Sequence, residues 1–339
     1  MRVKYWAALA AAASFALSLA AGAQAQQTTL IVATLTTEDS LPVQHFFIPW
    51  AQAVEKSANG ALKMDIRNGY TIASLNNSLD RLNEDVVQVV GVFHGNTPGR
   101  FPLSEVAGLP FMTTKAEDSA VALWRLYKTG LLDGELKDFV PLAMCTYGFS
   151  GLHLVKKPPT LNDLKGLKIV TATKIQADML SLLGASPSSA TPMDAYTALQ
   201  RGTYDGIMTS WGGVLAFHIN DVTSFHVDAA LGTSTEMLAM TKKRYDALPP
   251  AARKAIDENS GEAATRWMAS QSVDALIPIS QAQAREKGGT IVNLTPAQQK
   301  LWEDKTKSVI DAWVAARPNG GAAVLTKFRE ILADVQAGR

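Results

Sequence analysis

Five histidines, at positions 45, 94, 153, 218 and 226, and one cysteine, Cys145, are the side chains of this chain best suited to metal or nucleophilic chemistry. Their spacing suits neither. No His-x-His or His-Glu-x-x-His pair occurs, so no zinc site is predicted. A single cysteine cannot close an internal disulfide, and its apolar neighbours Pro141 to Met144 predict a buried, inert thiol. Gly-x-Ser-x-Gly is absent, as are a Walker phosphate loop and a Gly-x-Gly-x-x-Gly after the first strand, which instead meets Thr36-Thr37-Glu38-Asp39. No cofactor is expected. What remains is a set of polar and aromatic groups at the carboxyl ends of strand-like segments, where open α/β sheets bind ligands. Glu38, Gln44 and His45 follow the first such segment, and His94 and Asn96 the third. Thr171, Thr173 and Lys174 follow a later one, and Thr209, Ser210 and Trp211 follow Asp205-Gly206. Such groups recognise a small molecule without making or breaking its bonds. Trp211 beside Gly212-Gly213 reads as a wall for a ligand, with core packing as the competing reading. His45 precedes Phe46 and Phe47, so a surface or core role competes there too. Trp50, Trp124, Trp267, Trp302 and Trp313 stand at helical spacing and read as core.

The elements that must hold these groups follow from hydrophobic period. Thr28 to Thr34 is short, apolar and β-branched, as in a strand buried on both faces. Pro42 opens a helical pattern that stops at Asn59-Gly60. Ala61 to Arg67 predicts a strand, Leu75 to Asp85 a helix and Val86 to Phe93 a buried strand, and this β-α-β-α-β order implies a doubly wound parallel sheet. The second half repeats the grammar, with a strand at 165–171, helices at 175–183 and 194–201, and a strand after Asp205. Between the halves, Leu152, Leu154 and Val155 predict a strand crossing from lobe to lobe. Ala251 to Lys287 predicts one long helix, kinked only at Pro278 and spanning both lobes. Thr295 caps a largely helical C-terminal stretch broken at Gly320-Gly321.

With 339 residues, 47% hydrophobic, 19% charged and a formal net charge of +1, the chain has the composition of a folded two-lobed protein and no basic excess for a nucleic-acid partner. Arg2 and Lys4 precede an apolar stretch from Tyr5 to Ala23 that ends in Ala23-Gln24-Ala25. This pattern predicts a secretory signal peptide over 1–25, with a membrane anchor as the competing reading, and an exported, soluble mature protein. Its removal would leave 30 basic against 31 acidic residues. The boundaries expected are residues 26–148 for lobe I, joined by about 236–275, and 149–235 for lobe II, joined by about 276–339.

Four segments, in order, resemble the extracytoplasmic solute-binding proteins of TRAP transporters, the DctP-like family. They are Thr97 to Val106 with Leu109-Pro110-Phe111, Leu164 to Ile169, Ala177 to Leu180 with Leu183-Gly184-Ala185, and Tyr196 to Gly202 leading into Asp205-Gly206. The resemblance implies a periplasmic binding protein-like fold: two α/β lobes closing on a small solute, usually a carboxylate, and a long helix bracing both. It also implies delivery to the membrane subunits of a sodium-driven TRAP permease, with no enzyme activity. A ligand-presenting partner of a membrane receptor and a secreted lyase using Glu38 with His45 or His94 are the alternatives. The chain departs from the family in three places, one being the Gly-x-x-Asp usual before the third strand of lobe I, where Asp85-Val86-Val87-Gln88 stands. The arginine that usually follows Lys-Ile to clamp the solute carboxylate is Val170, and the usual asparagine after Asp-Gly is Thr209. Lys168, Lys174, Arg100, His45 and His94 are the candidates to supply the missing charge. Otherwise the solute is neutral or aromatic there, with Trp211 and Phe149 lining the pocket. The ligand-binding set predicted is therefore His45, His94, Asn96, Phe149, Thr171, Lys174, Thr209 and Trp211.

Overall fold

A computed structural model describes residues 27–190 and 192–339; the leader expected over 1–25 lies outside them. The short β-branched and apolar runs form two sheets. The first contains β1 (Thr28–Ala33), β2 (Leu62–Arg67), β3 (Val89–Phe93), β4 (Phe139–Thr146) and β10 (Thr235–Thr241), in the order β2-β1-β3-β10-β4. The second contains β5 (Ser150–Leu154), β6 (Lys168–Thr171), β7 (Ser186–Ser189), β8 (Gly206–Ser210), β9 (Phe225–Asp228) and β11 (Thr290–Asn293), in the order β11-β9-β5-β8-β6-β7. Each sheet has one antiparallel member, β10 in the first and β5 in the second.

These two strands have the same history. Each is entered directly from the other lobe, β5 from the end of β4 and β10 from the end of β9. A strand entered that way must run away from the junction, while its parallel neighbours run toward it. The expected crossing strand is therefore not shared between the lobes. Leu152 and Leu154 belong wholly to the second sheet, and the chain crosses at 147–149 and returns at 229–234. The two crossings are laced together. Tyr147 N donates to Ser234 O at 2.9 Å, Ser150 N to Gly232 O at 2.9 Å, and Thr233 Oγ1 to Tyr147 O at 2.6 Å. Gly232, at φ +87°, fits because a Cβ there would stand 2.9 Å from Gly108 O.

The helices that matter for the site are α1 (Ile48–Ala58), α2 (Ala116–Lys128), α3 (Lys174–Leu182), α4 (Pro192–Gln200), α5 (Trp211–Ala216), α6 (Pro250–Glu258), α7 (Glu262–Ala269), α8 (Leu276–Glu286), α9 (Pro296–Ala315) and α10 (Gly321–Gln336). α1 ends as its Asn59-Gly60 signal predicts, with Asn59 left-handed. One face of the first sheet packs on α1, α6 and α7, with Trp50 donating to Asn259 O at 2.8 Å. The other face packs on α2 and α10. The second sheet is covered by α3 and α9 on one side and by α4, α5 and α8 on the other.

The long helical pattern from Ala251 is interrupted at a different place from the one predicted. It breaks at Asn259 to Gly261, where Gly261 takes φ +94°. Pro278 lies within a helix that continues from Glu262 to Glu286, about 37 Å at ~1.5 Å per residue. A π turn over Ser270–Asp274 precedes the proline, and this local widening accommodates a residue that cannot donate to Asp274 O. The N-terminal part of this helix packs on α2 and β4, and its C-terminal part on α5 and β11. It ties the two sheets together. α9 begins with the predicted Thr295 cap, completed by Gln298 as a capping box. It buries Trp302 with the second sheet and Trp313 with the first. α10 packs on α2. Its Val324, Leu325, Phe328 and Leu332 therefore join the core of the first sheet, a correction to the expectation that placed 276–339 whole with the second lobe.

Asp274 fastens the π turn to lobe I. Its carboxylate oxygens accept from the first N–H groups of α2, Ala116 N and Glu117 N, at 3.0 Å each. Replacing it with alanine orphans two helix N-terminal donors. Asp274→Ala is expected to lower unfolding free energy by about 1–2 kcal/mol, read from the urea midpoint at unchanged slope.

Candidate functional site

Strand direction fixes which residues reach the junction. The carboxyl ends of β1, β3, β4, β6, β8 and β9 face it, together with the amino ends of β5 and β10. The first sheet thus presents Phe93, His94, Tyr147 and Ser234 to Glu236, and the second presents Phe149, Ser150, Thr171, Thr173 and Ser210. The lobes touch here. A Cβ on Gly95 would lie 3.4 Å from the Thr173 methyl and 3.2 Å from Ser234 Oγ. Phe111 N, from lobe I, donates to Ala230 O at 2.7 Å.

Tyr147 is the exposed surface of this junction. Its ring lies on Phe93 at 4.6 Å between centroids. It keeps 37% of its surface accessible, unlike Phe93 and Phe149 beside it, which are buried. Burial, then the neighbouring Glu236, Cys145 and Tyr70, holds its phenol well above the usual range. Tyr70 is half exposed, and burial of its hydroxyl raises its pKa as well.

Glu236, the second residue of β10, is only 2% exposed. Its Oε2 has no hydrogen-bond partner, and its Oε1 fills space that a Cβ on Gly91 would overlap. Burial alone pushes this carboxyl up to about 8. Beside it, His94 shares its Nδ1 with Thr235 Oγ1 at 2.8 Å and packs on Phe101, while its Nε2 is unpartnered. Burial lowers the His94 pKa to about 3, so the ring is neutral. Ser234 Oγ is a third buried atom without a partner.

The residues predicted from sequence divide. His94, Phe149 and Thr171 stand at the junction. Thr171 is bonded within lobe II, donating to Gln176 Oε1 at 2.8 Å while Gln176 Nε2 donates to Ser150 Oγ at 2.8 Å. Asn96 is exposed and donates to Asn76 at 2.9 Å. Lys174 has its side chain 85% exposed and is paired with Asp178, and Arg100 is paired with Asp138 over Phe101 and Phe139. His45 is exposed on a π turn, Val43–Phe47. Lys168 begins β6 and so lies at its far end. None of these candidates brings a positive charge to the junction. Val170 is buried in apolar core with Ala195, Ile207 and Val214.

Trp211 and Thr209 belong to a buried polar cluster in lobe II, so core packing is the reading that holds for Trp211. Trp211 is 2% exposed; its indole N–H donates to Asp228 Oδ1 at 3.0 Å, and Asp228 Oδ2 accepts from Gln281 of α8 at 2.8 Å. The ring packs on His153 and His226, with centroids 4.8 and 5.3 Å away. His153 Nε2 lies 3.1 Å from Thr209 O and must donate, so its Nδ1 accepts from His226 Nδ1 at 2.9 Å. Gly213 is needed because a Cβ there would overlap Thr209 Oγ1, and Gly212 packs on Leu276. Those glycines bring α5 against β8 and α8 and leave no opening for a ligand. Sequence reasoning missed Phe93, Tyr147, Tyr70 and Glu236. The one signal was an acid inside the apolar run Glu236-Met237-Leu238-Ala239-Met240.

Similarity to known proteins covers almost the whole described chain. The family described as bacterial extracellular solute-binding protein, family 7 (DctP), matches residues 33–316. A TRAP solute-binding protein from Rhodoferax ferrireducens, solved with copurified benzoate, superposes with a TM-score of 0.84 at 31% identity, covering 92% of this chain and 100% of that one. A marine metagenome TRAP solute-binding protein described as specific for aromatic acid ligands, solved with 3-hydroxybenzoate, gives 0.83 at 26% identity, covering 91% and 98%. The outer membrane transporter protein TsaT of Comamonas testosteroni is 27% identical over 322 residues, 92% of this chain and 94% of its own.

The imidazoles of His94, His153 and His226 are held down to about 3, 3 and 4, chiefly by burial. Their 15N resonances should stay those of neutral rings from pH 8 to pH 5, with His153 protonated on Nε2. A midpoint near 6 for any of the three would show that its ring is open to water.

Proposed function

This chain belongs to the bacterial extracellular solute-binding proteins of family 7, and from that premise we propose that it captures an aromatic carboxylic acid between its lobes in the periplasm and hands it unchanged to a TRAP permease. The observation that carries this reading is Tyr147, packed at 4.6 Å on Phe93 with more than a third of its surface open where the two sheets meet. A flat ring stacks there on a surface that gives up little conformational entropy, and an offset aromatic pair contributes about 0.5–1.5 kcal/mol beyond burial. The relatives solved with benzoate and 3-hydroxybenzoate support the same class of solute.

The charge pattern narrows the class. Among the described residues, those assigned to the junction bring no Lys or Arg, while Tyr70, Tyr147 and Ser234 bring hydroxyls. A dicarboxylate would carry two charges out of water against such neutral groups, at several kcal/mol each. A monocarboxylate carries one and repays part of it through its ring. Micromolar affinity needs about −8 kcal/mol, within reach of one aromatic wall and a few hydrogen bonds. Contacts from both lobes make the solute a reason for closure, since only differential contact shifts a two-state equilibrium.

Titration calorimetry with benzoate, 3-hydroxybenzoate and succinate tests this. The two aromatic acids are expected to bind at about micromolar Kd and succinate not measurably, and Tyr147→Ala is expected to weaken the aromatic acids at least about tenfold, or 1.4 kcal/mol. Equal binding of succinate, or a Tyr147→Ala variant of unchanged affinity, would refute it.

A further inference from the structure

We propose that Glu236 is held as the neutral carboxylic acid and donates its hydrogen to the carboxylate of the solute, doing at this junction what a cationic side chain does in an arginine-anchored site. The proposal rests on the reading of the solute as a monocarboxylate.

The geometry is that of a prepared donor. Glu236 lies at the end of β10 nearest the other lobe, opposite Phe93 on β3 and Cys145 on β4. Gly91 leaves the space that its carboxyl occupies. Among the described residues nothing pairs with its Oε2, and a buried polar atom left unpaired costs about 1–3 kcal/mol. That deficit is removed if a bound molecule supplies the partner. The groups around it do not stabilise an anion. β3 contributes Gly91 and Phe93, neither ionisable, and its end contributes His94, whose ring burial keeps neutral. β4 contributes Cys145, whose thiol is pushed well up by burial and by Glu236 itself. The crossing contributes Tyr147, also kept neutral. Asp274, which also acts on Cys145, is a further acid, with its oxygens engaged by α2.

An ionised Glu236 would therefore be doubly unfavourable beside a carboxylate solute. It would be a buried charge without a counter-ion and a like charge facing the ligand. A neutral Glu236 and an ionised solute instead share one proton in a charge-assisted O–H···O⁻ bond, a short and strong kind of hydrogen bond. The solute charge then binds the proton still more tightly. No covalent step is involved; on release the proton remains on Glu236 and the solute departs as the carboxylate that entered.

The consequence is pH-linked loading. Burial holds the free carboxyl at about 8, whereas benzoate is ionised throughout the neutral range. Affinity should thus be flat below about pH 7 and fall about tenfold per unit well above pH 8, because the site must first take up a proton. Calorimetry with benzoate at pH 6.5, 7.5, 8.5 and 9.5, in pairs of buffers of different ionisation enthalpy, reads both quantities on the wild-type protein. Near-zero proton uptake at pH 6.5, rising toward one proton at pH 9.5 with the matching loss of affinity, is the expected result. Glu236→Gln, which keeps a neutral N–H donor, should bind with no pH slope and no proton uptake, and Glu236→Ala should bind weakly at every pH. Micromolar binding by the wild type without pH slope or proton uptake overturns this inference and leaves the aromatic-acid reading standing. So does the same slope in Glu236→Gln. Failure of the wild type to bind any aromatic acid at any pH, with its thermal transition intact, removes the aromatic-acid reading and this inference with it.

Discussion

The direction in which the backbone crosses between the lobes is the constraint on which this structure depends. A chain that leaves the first sheet at the end of β4 enters the second as β5 running outward, and the return from β9 to β10 repeats the event in reverse. The parallel strands must then aim their carboxyl ends at the same gap from both sides. Open α/β sheets bind at those ends because helix starts and loops leave polar groups there. The antiparallel strands β5 and β10 are thus the geometric price of this arrangement, and the starts of both, Ser150 and Thr235-Glu236, are delivered to the junction.

Polar groups are managed differently on the two sides of that gap. In lobe II the buried histidines, Trp211, Asp228 and Gln281 satisfy one another except at His226 Nε2, and through Gln281 they fasten the connecting helix to β9. In lobe I, His94 Nε2 at the end of β3 and Ser234 Oγ and Glu236 Oε2 at the start of β10 have no partners among the described residues. On the reading proposed above, a bound solute would supply the partner that these atoms lack. The family's arginine is replaced by Val170, and Val170 points into apolar core. Restoring a cation there by a one-residue shift of β6 is excluded by its pairing, which sets Val170 beside Ile207.

Much of this architecture was legible in the sequence. Apolar β-branched runs marked β1 and β3, Asn59-Gly60 marked the end of α1, and Thr295 with Gln298 marked the start of α9. These signals are local, set by backbone conformation and period. The failures came where a distant partner decided the outcome. Pro278 looked like the helix break, but the π turn before it absorbed the missing donor, and Gly261 broke the helix instead. Trp211 with two glycines looked like an open wall, but the glycines serve close packing of α5 on Thr209 and Leu276. Tyr147 and Glu236 carried almost no local signal, since what distinguishes them is the crossing that sets them side by side.

The hinge and the floor of the site are the same stretch of chain. Gly148 stands between Val273 of the π turn and Ser210 at the end of β8, where an added Cβ would meet them at 3.0 and 3.6 Å. It therefore couples the crossing, the connecting helix and the second sheet at one point. Tyr147 precedes it, and Phe149 follows. On the reading proposed above, a solute resting on Tyr147 would press on the crossing backbone, and Thr233 Oγ1, which donates to Tyr147 O at 2.6 Å, would carry the same load into the return crossing. Ligand contact and lobe angle are in this way properties of the same residues. No long chain of intervening side chains is needed to link occupancy to closure, and the differential contact that drives the population shift is made at the pivot itself.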